Sequence, residues 1–154
     1  MRKFRIVLTG MLALGLLGRA LAQTPEERLK REEEKLAGTW RVTAAKAMGE
    51  RVPPDQLPKM KLTFKDGKFT VQHGNDKPLE GTYKIDPSKT PKTIDITNRT
   101  TGPEEGKKQV GIYELSDNEL KICASDASKK RPTDFDTRNK EGYTVLVLRR
   151  VPVP

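Results

Sequence analysis

From Gly38 onward, apolar and polar side chains alternate with a period of two. Trp40, Val42 and Ala44 alternate with Arg41 and Thr43. Met60, Leu62 and Phe64 alternate with Lys61 and Thr63, and Phe69, Val71 and His73 with Lys68, Thr70 and Gln72. Gly81, Tyr83 and Ile85 follow, then Ile94 and Ile96, then Gln109 to Leu115, where adjacent Ile112 and Tyr113 leave the facing ambiguous. Leu120 and Ile122 come next, and Tyr143 to Arg150 ends the series with four consecutive apolar residues, Val145 to Leu148. Period-two segments of this length, separated by turn chemistry such as Asp66-Gly67, predict half-buried β-strands.

The pattern gives eight short strands with no crossover helices between them, so the sheet is expected to be antiparallel. An eight-stranded up-and-down barrel is the favoured architecture, because closure removes the exposed strand edges. A β-sandwich is the alternative. Two connections are long: Met48 to Pro58, which holds Pro53-Pro54 and Pro58, and Ser125 to Gly142, which holds Arg131-Pro132-Thr133.

Before Gly38 the pattern differs. Thr24-Pro25-Glu26-Glu27 reads as a helix start, with Thr24 as cap, Pro25 at the first helical position and Glu27 completing a capping box. The helix is expected to reach about Leu36, with Leu29 and Leu36 as a narrow apolar stripe. Further upstream, Arg2, Lys3 and Arg5 precede an apolar run from Ile6 to Leu17, and Ala20-Leu21-Ala22 supplies small residues before Gln23. This is the order of a secretory signal. The run is about 12 residues, short of the ~20 that span a bilayer. The expected organisation is a signal peptide at 1–22, a helical flank at 23–36 and a barrel domain at 37–151. The mature protein would be periplasmic or extracellular, with no membrane span.

Charge changes the picture only a little. The chain has 30 Lys and Arg against 21 Asp and Glu. Four of the basic residues fall in 1–22, so the remainder carries 26 against 21. Along the sequence the two signs are interspersed, which reads as a mixed solvated surface. Lys129-Lys130-Arg131 is the densest basic cluster. Nucleic acid is not an expected partner for an exported chain of this balance. Cys123 is the single cysteine, so no intramolecular disulfide can form, and it reads as a small strand residue.

Candidate chemistry is sparse. His73 is the only histidine. No Cys/His cluster has metal-ligand spacing, and no Gly-rich loop runs from a strand into a helix. Asp134 with Asp136, and Glu32-Glu33-Glu34 spread round a helix, make no acid–base pair. No enzyme activity, metal or cofactor is expected. The inward polar positions are His73, Tyr83 and Asn98, the candidates for orienting a small ligand at the barrel mouth.

Gly38-Thr39-Trp40 opens the first strand directly after the helix, and Arg149-Arg150 ends the last. In a closed barrel those strands are neighbours, so one of the two arginines can stack on the indole and shut the base. A short helix, a Gly-x-Trp, an antiparallel barrel and a late Arg together resemble the lipocalins. Closer still, Leu36-Ala37-Gly38-Thr39-Trp40, Gly81-Thr82-Tyr83-Lys84-Ile85-Asp86-Pro87, Pro91-Lys92-Thr93-Ile94-Asp95-Ile96, Gly111-Ile112-Tyr113-Glu114-Leu115, Leu120-Lys121-Ile122-Cys123 and Arg131-Pro132-Thr133-Asp134-Phe135 stand in order. This series resembles a large paralogous, uncharacterised, lipocalin-like domain family of planctomycete bacteria. The resemblance implies that Arg131, Pro132, Thr133 and Phe135 are family features without a known role. Phe135 is a candidate plug for one barrel end and Arg131 a candidate partner for an acid.

Two functions follow as expectations: a monomeric binding module for a small apolar ligand, or a filled barrel acting as a structural or protein-interaction module of the cell envelope. The signal reading makes a direct prediction. The exported protein should begin at Gln23, and mass measurement should show the first 22 residues missing; an intact N-terminus in the membrane fraction would overturn it.

Overall fold

The computed structural model describes residues 23–57, 59–103 and 105–152. The expected signal segment lies outside them. Helix α1 spans Pro25–Leu36, and the strands are β1 Gly38–Ala47, β2 Glu50–Arg51, β3 Met60–Lys65, β4 Lys68–His73, β5 Leu79–Asp86, β6 Lys92–Asn98, β7 Lys108–Leu115, β8 Glu119–Asp126 and β9 Thr144–Arg150. Each of β3 to β8 pairs antiparallel with the next, β3 pairs with β1, and β9 returns to β1, closing an eight-stranded barrel. The ninth strand, β2, is a two-residue ribbon on the far end of β1, with Lys46 facing Arg51. It forms inside the Pro-rich connection, where period-two alternation is too short to register.

The two barrel ends differ. At one end the connections are tight: Asp66-Gly67 between β3 and β4, Pro87–Pro91 between β5 and β6, and Ser116–Asn118 between β7 and β8. Helix α1 belongs to this end. Its N-terminus has the capping box, Thr24 and Glu27 each bonding the other's backbone N–H. Its inward stripe is Leu29, Glu32 and Leu36, spaced i, i+3 and i+7; Leu36 is fully buried and Leu29 packs on the core. Glu32 is buried too and is paired with Lys92 at 2.5 Å.

The base is locked by one cluster. Trp40 is fully buried, and its indole N–H donates to the Leu36 carbonyl at 2.9 Å. The Arg150 guanidinium lies 4.1 Å from the indole centroid. Arg150 also donates to the carbonyls of Ala37 and Lys35 at the helix C-terminus and of Asp117 in the β7–β8 turn. Gly38 is required here on two counts. Its φ of +121° is a conformation that side chains disfavour, and a Cβ would sit 2.9 Å from Arg150 Nη1. Arg149 points away, to Glu119 at 3.0 Å.

The core follows the inward alternation except beyond a bulge in β1 after Val42, where Ala45 and not Ala44 is buried: Trp40, Val42, Leu62, Phe64, Phe69, Tyr83, Ile85, Ile94, Tyr113, Leu120, Ile122 and Leu148 form one cluster with Leu36. Phe64 and Tyr83 meet edge to face at 5.2 Å, an arrangement that aromatic quadrupoles favour. The β7 ambiguity resolves because both residues are buried, on opposite faces. Tyr113 points into the barrel, whereas Ile112 joins Cys123 and Val145 in a second cluster on the outside, roofed by Phe135. Phe135 is therefore an outer-wall cover and not a plug of the barrel end. The same roof explains why Val145 to Leu148 reads as a continuous apolar run.

Truncating the aromatic at the base should be expensive. Trp40→Ala is expected to lose ~3–5 kcal/mol, the range for deleting a buried aromatic, read as a lowered denaturant midpoint. A midpoint within error of wild type would show that the lock does not carry the fold.

Candidate functional site

The opposite end of the barrel is open and carries the longer connections: 48–59, 74–78, 99–107 and 127–143. Between them a cavity of about 370 Å³ enters the interior. Its floor is Leu62, Phe64, Phe69, Ile96 and Ile122, and its upper wall is Met60, Val71, Leu79, Ala124 and Leu146. Polar groups gather at the rim: Asn98, Lys107, Gln109, Ser125, Asp126 and Thr144. An apolar body with a few placed polar groups is the ordinary make-up of a small-molecule pocket, and the volume lies within the ~300–1,000 Å³ such sites occupy.

Small residues at inward positions make this space. Gly81 is buried, and a Cβ there would come within 2.4 Å of the Phe69 ring and 2.3 Å of the Thr97 carbonyl. Phe69 can lie flat against the wall only because residue 81 has no side chain. On the other side Gly111 faces Ala124 across β7 and β8, so neither of these two strands projects a bulky side chain inward there.

The three residues expected to orient a ligand are not brought together. Asn98 lines the cavity, half-buried, with its Oδ1 accepting from Thr100 N–H at 2.9 Å. His73 shares the inward face by register, opposite Met60, but it is exposed beyond the cavity lining. Tyr83 is buried deeper, against Phe64, where burial raises its hydroxyl pKa. Neither His73 nor Tyr83 lines the cavity. Lys107, Gln109 and Asp126 do, and alternation alone did not single them out because they lie at or just beyond strand ends.

Toward the base, the Tyr113 hydroxyl is buried without a hydrogen-bond partner. Burial, and next the Glu32 carboxylate, push its pKa far up, so it stays protonated. Lys92 spans this pair, ion-paired to Glu32 and 5.8 Å from the Tyr113 ring centroid. The cluster seals the lower interior.

The β8–β9 loop is fixed on the outer wall. Arg131 donates to the carbonyls of Ile94 and Gly111, which face each other across β6 and β7, and pairs with Asp95 at 2.6 Å. Pro132 and Thr137 are buried, and Thr137 Oγ1 accepts from the Gly49 N–H in the β1–β2 turn. Lys121 lies 4.1 Å over the Phe135 ring. Arg131, the most distinctive member of the basic cluster, is thus spent on stitching the wall. Beneath this roof, burial and then Asp134 push the Cys123 thiol up to about 11 from an ordinary 9.0.

That shift has two measurable effects. The folded protein should react slowly with a thiol reagent at pH 8 and stoichiometrically once denatured. Because the unfolded thiol ionises near 9.0 while the folded one holds its proton to about 11, stability should also fall as pH rises through that interval. Rapid labelling of the native protein at pH 8 would show that the roof does not cover Cys123.

Residues 36–122 match the model of a family described as a lipocalin-like domain. Two solved structures are similar: an uncharacterised protein from Bacteroides eggerthii, at 17% identity over 75% of this chain and 99% of that one with a TM-score of 0.48, and a lipocalin-like protein from Bacteroides uniformis, at 18% identity over 76% and 99% with a TM-score of 0.49. No curated protein matches. Over residues 36–122, from the end of α1 into β8, the match covers more than half of the sequence, and this chain belongs to the lipocalin-like domain family.

Proposed function

We propose that this protein is an exported binding module that holds a small apolar ligand in the open end of its barrel, and that it is not an enzyme. The observation that carries the reading is the cavity of about 370 Å³, apolar in its depth and polar at its rim. A ligand there would bury its apolar body against Phe64, Phe69 and Ile122. Its polar end would meet the amides of Asn98 and Gln109 at the mouth. The base supports the same reading, since the Trp40–Arg150 lock and α1 leave the open end as the route of entry. The non-enzymatic part rests on the lining itself: its one serine, Ser125, donates its hydroxyl to the Lys130 carbonyl, and the one histidine stands outside it. Export rests on the N-terminal pattern of charge, apolar run and small residues. Within the lipocalin-like domains, we place the chain with the planctomycete paralogous family on the Arg131-Pro132-Thr133-Asp134-Phe135 segment.

An environment-sensitive apolar dye, 1-anilinonaphthalene-8-sulfonate, tests the pocket. Saturable fluorescence is expected at micromolar protein. Ala124→Phe, which projects a ring into the cavity, should abolish it while the near-ultraviolet spectrum of Trp40 persists. Asn98→Leu should shift affinity, and His73→Ala should leave it unchanged. Dye binding equal in Ala124→Phe and wild type would refute the cavity reading and leave the filled interaction module in its place.

A further inference from the structure

The barrel's cations are segregated in a way that the linear sequence hides. Four strands adjacent in the closed barrel, β9, β1, β3 and β4, contain seven Lys and Arg and no Asp or Glu. The rest of residues 23–154 holds 19 basic against 21 acidic residues, so the whole positive surplus lies on this wall. Arg150 belongs to the base. The other six, Arg41, Lys46, Lys61, Lys65, Lys68 and Arg149, are all exposed.

The register sets like charges side by side. Arg41 faces Arg149 on one neighbour and Lys61 on the other, and Lys65 faces Lys68. Directly opposed like charges on one sheet face are destabilising. Among the described residues only Arg149 has an acidic partner, Glu119. This wall therefore retains a repulsion that an anionic partner would relieve.

A second observation says which kind of partner. Among the described residues the exposed large hydrophobic side chains are Met48, at 68% exposure, and Leu79, at 38%. Both stand at the open end beside this wall. Met48 tips the β1–β2 turn, with Lys46 and Arg51 facing each other just behind it. Leu79 opens β5, pairs with Val71 of β4, and lines the cavity. Met48 has φ +53° and Gly49 φ +85°, a pair of left-handed positions where Asn-Gly is the favoured choice. A bulky apolar residue is thus held outward at a site that disfavours it.

We propose that the β9–β1–β3–β4 wall and the adjoining rim dock on an anionic lipid surface, with Met48 and Leu79 entering the boundary between headgroups and acyl chains. Cations beside protruding apolar side chains are the two terms of interfacial binding. An acidic polymer would use the cations but not the two aliphatic side chains. Because Leu79 belongs to both the docking rim and the cavity wall, docking turns the mouth toward the bilayer. This deepens the proposed ligand binding, for which the lipid phase becomes the source of the cargo.

The test uses the full chain as recovered from producing cells, with vesicles of phosphatidylcholine alone or mixed with phosphatidylglycerol. A fluorophore at Met48→Cys reads local burial, Cys123 being covered. Binding to the anionic vesicles should weaken by at least about thirtyfold in Arg41→Glu/Lys61→Glu, since each surface cation lost removes about a factor of five and each carboxylate gained adds repulsion. The probe should blue-shift on anionic vesicles only, and added salt should reverse the shift. Equal binding by the charge-reversed variant, or a probe that stays in water on bound vesicles, would overturn the proposal. So would binding to soluble dextran sulfate with none to vesicles. Dye titration of the same variant separates the two readings: lost docking with retained dye binding leaves the cavity intact, and lost dye binding with retained docking refutes only the cargo.

Discussion

The stack of Arg150 on Trp40 holds the molecule together because one side chain answers several demands at once. A cation over an indole face contributes ~0.5–2 kcal/mol by itself. The same guanidinium satisfies carbonyls at the C-terminus of α1 and in the β7–β8 turn, groups that would otherwise lack donors. The first strand, the last strand, the helix and a turn on the far side of the base meet at one residue. Gly38 marks the same constraint from the backbone side, since the arginine occupies the volume a side chain would need.

With the base fixed, the remaining features divide between two ends and two faces. Short turns and the helix seal one end, and long connections surround the other. Inside, large side chains fill the lower half while Gly81, Gly111 and Ala124 leave the upper half open. Outside, the β8–β9 loop covers part of the wall around Ile112, Cys123 and Val145, and the β9–β1–β3–β4 half is left bare and cationic. The cavity and the apolar rim lie at the open end, and the charged wall runs from that rim down to the base.

The strands and the lock were legible because they depend on local signals: a period of two, an Asp-Gly turn, and Gly-x-Trp following a helix. What escaped the sequence depends on tertiary neighbours. Ile112 and Tyr113 cannot both face one interior, and only a loop some twenty residues away explains why both are buried. Phe135 looked like an end plug because nothing local shows that its loop folds back along the outer wall. Glu32 sits among three consecutive glutamates, and the position of Lys92 decides which of them turns inward. For the site, counting bulky inward residues was uninformative; the cavity exists because of the small ones. His73 and Tyr83 had the right facing but the wrong depth, and depth is set by register and twist. The charged wall was invisible because Arg149 and Arg41, far apart in the chain, become neighbours only on closure.

Closure by the terminal strands also dictates when the barrel can exist. The Trp40 and Arg150 pairing spans 110 positions of the chain, so no shorter nascent segment can make it. Until β9 arrives, β1 and β8 are free edges with unpaired backbone groups, the form in which β proteins associate with one another. Contacts of such long range also slow folding. The chain is therefore committed to remaining open, and vulnerable to proteases and to its own copies, until its final strand is available. A chain that ended before Thr144 would lack β9 and, with it, the pairing that closes the barrel.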